Sequence, residues 1–179
     1  MLITENSNTH LTYCLNIHPG ESWSENVSAI RNYALKVKQD VCPDKPFGLG
    51  MRLSRKAAGE LYNRQEPEHF KDLIKENDLY VFTINGFPYG QFHGDVVKEK
   101  VYQPDWRTSD RKNYTIILGD ILAGLLGDNI QGSISTLPGS YKKWIKTPDD
   151  TAAMVKNLMD CVYHFSTLKS QTGKSINLA

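Results

Sequence analysis

Five short runs rich in apolar and β-branched residues, separated by four helical patterns, constrain this chain more than any other feature of its sequence. The runs are Leu11–Ile17, Phe47–Leu53, Leu79–Ile84, Ile130–Leu137 and Ser175–Ala179. Each is short enough for a strand, and the first four end in a Gly, Pro, Ser or Asn-rich turn. Between the first two, Ser22 and Glu25 have the spacing of a capping box, and Val27, Ile30, Tyr33 or Ala34, Val37 and Val41 recur at helical period. Cys42-Pro43-Asp44-Lys45-Pro46 stops that helix. Ser54 caps the next, and Pro67 restarts it as a second piece to about Asn77. Pro104-Asp105 opens a long third helix with Tyr114, Ile117, Leu118, Ile121, Leu122 and Leu125 inward, and Gly127 fits its end. Residues 95–103 show no readable pattern. Thr147-Pro148-Asp149-Asp150 opens the fourth helix with a cap, a proline and two acids at the positive end of the dipole, and Gly173 closes it.

Strand, loop and helix in repetition is the pattern of parallel βα units. Two architectures carry it, a doubly wound sheet and a (β/α)8 barrel. No GxGxxG follows the first run, and neither GxxxxGK[ST] nor GxSxG occurs anywhere, which weakens the nucleotide-binding and hydrolase forms of the doubly wound fold. At about 41 residues per unit, an eight-unit barrel needs roughly 330 residues, within the range of the fold. Residues 11–179 then form the first half of such a barrel, four βα units plus the start of strand five, behind a flexible leader of residues 1–10.

Sites in parallel α/β proteins gather at the carboxyl ends of strands. Those ends here hold Asn16 and His18, Arg52, the loop from Asn85 through Tyr89 to His93, and Ser135 with Thr136. The segment Leu79–Gly94 is the densest of them: a buried strand breaking into three aromatics, a proline, glycines, Gln91 and His93. His93 and His18 are the catalytic candidates, since a neutral imidazole can take a proton from a hydroxyl or carbon, or ligate a divalent ion. His93 can equally be a structural hydrogen-bonding group, and Pro19 can simply end the strand at His18. Arg52 either holds an anionic group through its fork or pairs with a neighbouring acid inside the protein. Gly132–Gly139 offers hydroxyls and flexible backbone without the spacing of a phosphate loop.

The bulk composition excludes more than it identifies. A formal charge of +1, from 21 basic and 20 acidic residues, gives no general bias toward nucleic acid or membrane surface. Cys14, Cys42 and Cys161 share no metal-binding spacing and suit a reducing, cytoplasmic compartment. No run approaches a membrane span, and there is no HExxH and no basic–aromatic stripe.

Four stretches carry a resemblance: Leu11-Thr-Tyr-Cys-Leu-Asn-Ile-His-Pro-Gly-Glu-Ser-Trp23, Phe47-Gly-Leu-Gly-Met-Arg-Leu-Ser54, Tyr80-Val-Phe-Thr-Ile-Asn-Gly-Phe-Pro-Tyr-Gly-Gln-Phe-His-Gly94 and Gly132-Ser-Ile-Ser-Thr-Leu-Pro-Gly139. Together they resemble the EboE family, the metabolite traffic proteins of the Ebo gene cluster, within the xylose-isomerase-like TIM-barrel group. The resemblance spans residues 11–179 and implies the amino-terminal half of a barrel. It implies a small sugar-like or polyol metabolite bound by Asn16, Arg52, Asn85, Tyr89, Ser135 and Thr136, with His93 and His18 nearest the chemistry. Proteins of the same pathway are the implied partners. Two other readings stay open beside it: a metal-dependent sugar or sugar-phosphate isomerase or epimerase, and a binding module without catalysis. In the wider group the metal ligands come largely from strands five to eight, so a divalent metal would need donors from beyond Ala179. A half-barrel exposes two sheet edges, so the 179-residue chain is expected to be marginally stable or to self-associate, and to lack catalytic activity.

Overall fold

The computed structural model describes residues 1–4, 7–63, 66–90 and 98–179. Strands β1 (Leu2–Thr4) and β2 (Ser7–His10) form an antiparallel ribbon. The strands β3 (Thr12–Cys14), β4 (Phe47–Arg52), β5 (Leu79–Asn85), β6 (Gly132–Ser135) and β7 (Ile176–Leu178) form one sheet in sequence order. Every neighbouring pair in that sheet is parallel. The molecule is therefore mixed α/β with a parallel five-stranded sheet, as the repeating pattern predicts. No closed barrel is formed by the described residues.

The helices are α1 (Trp23–Ala29), α2 (Leu35–Val41), α3 (Arg55–Tyr62), α4 (Glu66–Glu76), α5 (Ser109–Leu125) and α6 (Pro148–Thr172). A π-helical segment, Ile30–Ala34, joins α1 to α2, so the amphipathic stretch from Ser22 to Val41 runs on without a break. The predicted caps form at Ser22, Ser54 and Thr147, and Gly173 ends α6 in the left-handed conformation at φ 73°. α1 packs on α3, α3 on α5 and α5 on α6, giving a single helical layer. Leu49, Val81, Ile84, Ile134 and Ile176 point from the strands into that layer, where they are buried with Leu118 and Leu122 of α5. No helix among the described residues is long and apolar enough to cross a membrane.

By the period of two along each strand, the opposite face presents Thr12 and Cys14, Gly48 and Gly50, Tyr80 and Phe82, then Thr83 and Asn85, Ser133 and Ser135, and Asn177. The ladder between β4 and β5 confirms the phase: Gly48 pairs with Tyr80, and after a bulge at Phe82, Gly50 pairs with Thr83 and Arg52 with Asn85. A parallel sheet is ordinarily buried on both faces. Here the second face is polar or small apart from Tyr80 and Phe82; its residues on β5 and β6 are only partly buried and Asn177 on β7 is exposed, whereas those on β4 are buried.

The ribbon lies at the amino-terminal end of that open face. The Met1 amino group donates to the Leu11 carbonyl at 2.6 Å, and Leu11 N–H returns to Met1 at 2.8 Å. A Cβ on Gly48 would stand 2.7 Å from Leu11 O and 2.8 Å from the Met1 nitrogen, so this close approach requires glycine. His10 joins its Nδ1 to the Tyr80 hydroxyl at 2.9 Å, and its ring lies 5.0 Å from that of Phe82. Residues 1–4 and 7–10 thus pair as a ribbon over one end of the sheet, a pairing that the sequence does not signal. The ribbon's polar sequence hid this, because the pairing groups are backbone and the contacts reach 70 residues along the chain.

Two boundaries also differ from expectation. The long helix starts at Ser109, not at Pro104. Asp105 accepts the Arg107 N–H at 3.0 Å and Trp106 N–H goes to Gly139 O, which holds residues 105–108 as a turn. The same helix ends at Leu125, with extended backbone at Leu126, before Gly127 is reached.

Candidate functional site

With the ribbon over one end, the carboxyl ends of β5 and β6 are the polar part of the open face. Ser133 Oγ donates to Thr83 Oγ1 at 2.9 Å, and one layer higher Ser135 Oγ donates to Asn85 Oδ1 at 2.9 Å. Asn85 Oδ1 also accepts the Phe87 N–H at 3.0 Å, which fixes the amide plane. Beside this row, β4 contributes Gly50, where a Cβ would stand 3.1 Å from Thr12 Oγ1, so β3 closes over β4 on this face. The arrangement offers hydroxyls and a carboxamide in register, all neutral, at spacings set by the strands. Such groups exchange hydrogen bonds with the hydroxyls of a polyol or sugar without having to release a charge.

The loop leaving β5 is held in one shape by its carbonyls. Arg111 Nη1 donates to Gly86 O at 2.8 Å, the Tyr114 hydroxyl donates to Pro88 O at 3.3 Å and to Leu53 O, Arg55 N–H donates to Tyr89 O at 2.8 Å, and Arg52 Nη2 donates to Gly90 O at 2.8 Å. Gly86 lets this loop turn against β6: a Cβ there would meet Leu118 Cδ1 at 2.7 Å and Ser135 O at 2.9 Å. Arg111 is fully buried, and among the described residues it makes no ion pair with a carboxylate. The rings of Tyr89 and Tyr114 lie 5.7 and 5.6 Å from its guanidinium carbon, a cation–π cradle. Burial lowers the Arg111 guanidinium to about 10 and raises the Tyr114 hydroxyl well above its ordinary value.

Arg52 stands at the end of β4 as predicted, but its fork is taken. Nη1 donates to Gly20 O at 3.0 Å, and Nη2 donates to Glu21 Oε1 at 2.6 Å as well as to Gly90 O. The side chain is 2% exposed, against 34% for Glu21. Of the two readings open in the sequence, this geometry supports the internal ion pair. The residue ties the loops after β3, β4 and β5 together below the mouth.

His18 lies away from the open face. Its Nε2 bonds the Tyr13 hydroxyl at 2.8 Å, and its ring stacks on Tyr33 of the helical layer at 4.2 Å. Tyr13 sits on the helix-facing phase of β3, opposite Leu49. The same burial that stacks the ring lowers the His18 pKa. Asn16 is half-buried in the 3-10 turn Leu15–Ile17 that follows β3. Thr136 accepts the Trp106 indole N–H at 3.2 Å, so it braces the wall of the mouth. Tyr89 is half-buried against Tyr114 and lines a groove of about 590 Å³ that also includes Glu21, Ser54, Lys56, Glu60 and Asn63. His93, with Gln91 and Phe92, lies outside the described residues.

Two buried groups near the mouth escaped the sequence reading. Arg111 stands three residues before Tyr114 and seven before Leu118, on the buried phase of α5, and that phase was its available signal. Asp105 is buried and accepts from Arg107 Nε and from Ser140 Oγ at 2.5 Å. Burial pushes its pKa up, and the hydrogen bonds from Arg107 and Ser140 more than offset this, leaving it below the usual carboxylate value. Arg107 continues to Asp150 at 3.2 Å and so joins this turn to the start of α6. No cluster of three His, Cys, Asp or Glu side chains suited to a metal ion occurs among the described residues. Comparison with family models, with curated proteins and with solved structures finds no match in any of the three.

Proposed function

We propose that this protein binds a small, hydroxyl-rich metabolite on the open sheet face at the carboxyl ends of β5 and β6. In this reading it is a barrel-type metabolite traffic protein resembling the EboE family, built on the (β/α)8 plan and acting in the cytoplasm with proteins of the same pathway. The observation that carries the proposal is the row formed by Asn85 with Ser135 and Thr83 with Ser133. It stands at the end of a parallel sheet where such folds hold ligands, on a face whose residues there are only partly buried. A carrier role is supported by the described groups of this row, which are an amide and hydroxyls, and by the commitment of His18 to Tyr13 and Tyr33.

Calorimetric titration with a panel of pentoses, hexoses, linear polyols and their phosphate esters tests this. A neutral sugar or polyol is expected to bind, and Asn85→Ala is expected to weaken it at least about tenfold, the loss of one or two hydrogen bonds in a desolvated site. Absence of binding by every member of the panel, or tight binding unaffected by Asn85→Ala and Ser135→Ala, would refute the assignment.

A further inference from the structure

The turn that begins α5 holds a charge without a bound counter-charge. Arg111 is 0% exposed. Its Nε donates to Pro104 O and its Nη1 to Gly86 O, both at 2.8 Å. Nη2 is buried and has no hydrogen-bond partner among the described residues. Asp105 acts on the guanidinium from a distance, but its own bonds go to Arg107 and Ser140. Arg52, the other buried arginine of these loops, also leaves its Nε unpaired, yet it holds the Glu21 carboxylate at 2.6 Å. Arg111 combines a free donor with the lack of any carboxylate bond among the described residues.

Its position sharpens the imbalance. Arg111 lies in the first turn of α5, the positive end of the helix dipole, which disfavours a cation and favours an anion. Thr108 does not cap this end, because its Oγ1 donates to Asp105 O and accepts no helix N–H. The faces of Tyr89 and Tyr114 and the two carbonyl dipoles stabilise the guanidinium in part. A buried charge is nevertheless ordinarily paired, and a vacant donor in a dry site is costly.

The free nitrogen belongs to a group that stands close to the polar row. Gly86, whose carbonyl accepts from Nη1, directly follows Asn85, and its N–H donates to Ser135 O at 3.0 Å. One residue therefore links the guanidinium to the Asn85–Ser135 pair, within the span of a small sugar acid or sugar phosphate. Carbonyl bonds fix the loop backbone, and Tyr114 is fully buried. The half-buried Tyr89 ring is the part of the cradle that can yield to a ligand.

We infer that Arg111 receives an oxyanion, a carboxylate or phosphate of the hydroxyl-rich ligand, which accepts from Nη2 as the Tyr89 ring turns aside. This role rests on the proposed ligand row for the rest of the molecule, and it makes acids and phosphate esters the preferred class. The bond is charge-assisted in a site from which water is excluded, so it discriminates against the neutral parent.

Titration calorimetry of the intact chain with sorbitol, gluconate and sorbitol 6-phosphate compares one carbon skeleton with and without the anion. Gluconate or sorbitol 6-phosphate is expected to bind at least about tenfold more tightly than sorbitol, and the tighter of the two distinguishes carboxylate from phosphate. In Arg111→Gln that ratio should fall toward one, and Arg111→Lys should keep part of it. A merely structural arginine would weaken all three ligands alike and leave the ratio unchanged. Should the variants fail to fold, the wild-type ratio decides, together with a rise in Tm with inorganic phosphate beyond that in sodium chloride of equal ionic strength. Equal binding of the three by the wild-type chain overturns the inference and leaves the ligand row standing. So does a preference for the anions that survives in Arg111→Gln, which would put the oxyanion elsewhere. An Arg111-dependent rise in Tm with phosphate, with no polyol bound, would keep Arg111 as the receptor and remove the row instead. No binding by any of the three and no effect of phosphate overturns both.

Discussion

Arg52→Ala separates a structural arginine from a ligand-binding one. The guanidinium is 2% exposed and makes three hydrogen bonds, to Gly20 O, Glu21 Oε1 and Gly90 O. Its removal leaves two loop carbonyls without their charged donor, each such bond contributing about 1.5–3 kcal/mol. Glu21 loses its partner too, but its side chain is a third exposed and water takes over there, so its share is small. With two such carbonyl bonds lost, the total is roughly 3–5 kcal/mol. For a chain of this size that lowers Tm by about 6–20 °C. Arg52→Lys should recover little, since one ammonium cannot span Gly20 and Gly90 as a fork does. Thermal melts by circular dichroism, with urea titration for the free energy, measure the effect. A Tm drop under about 2 °C would refute this account and return Arg52 to the role of a ligand anchor.

Other outcomes follow from the packing and the charges. Gly119→Ala places a methyl 2.3 Å from Phe165 Cε1, so despite its better helix propensity it should lower stability by about 1–3 kcal/mol in urea titrations through overpacking of α5 on α6. In the native protein a thiol reagent should modify Cys14 quickly and spare Cys42 and Cys161, which are buried; rapid titration of all three would contradict the placement of those side chains. Burial raises the Cys161 thiol from its ordinary 9.0 to about 12. The unfolded thiol therefore ionises first, its stabilising contribution is intact below pH 9.0 and lost as pH rises toward about 12, and Cys161→Ala should flatten that alkaline limb in melts. Asp150 is held down to about 2 by the backbone N–H groups of Lys146 and Thr147. Its contribution is present above pH 3.8 and lost as pH falls through about 2, so Asp150→Asn should remove that part of the acid transition.

The parallel sheet was legible because each unit wrote its own local signals. Ser22, Ser54 and Thr147 cap where their spacing says, Gly173 ends α6, and the apolar runs become strands in sequence order. The features that sequence reading missed depend on partners far along the chain. The ribbon is held by backbone pairing and by His10 reaching Tyr80, which no periodicity encodes. The turn at 105–108 forms because Trp106 N–H finds Gly139 and Asp105 finds Ser140. At the site, strand-end position correctly brought Asn85 and Ser135 together. It could not tell which face a residue takes after its strand ends: His18 turns toward Tyr33, and Arg52 turns into the loops. Arg111 was readable only as a charge on an apolar phase, a sign of burial that does not name the carbonyl it serves.

The ligand row on the open sheet face is the central claim, and two-dimensional amide NMR tests it most directly. On titration with the polyol or sugar that binds best, the Asn85 side-chain amide and the backbone amides of Thr83, Ser133 and Ser135 are expected to shift together, with Asn63 in the groove beside α3 unchanged. Shifts confined to Asn63 and its neighbours in that groove, with the Asn85–Ser135 row unmoved, would contradict it.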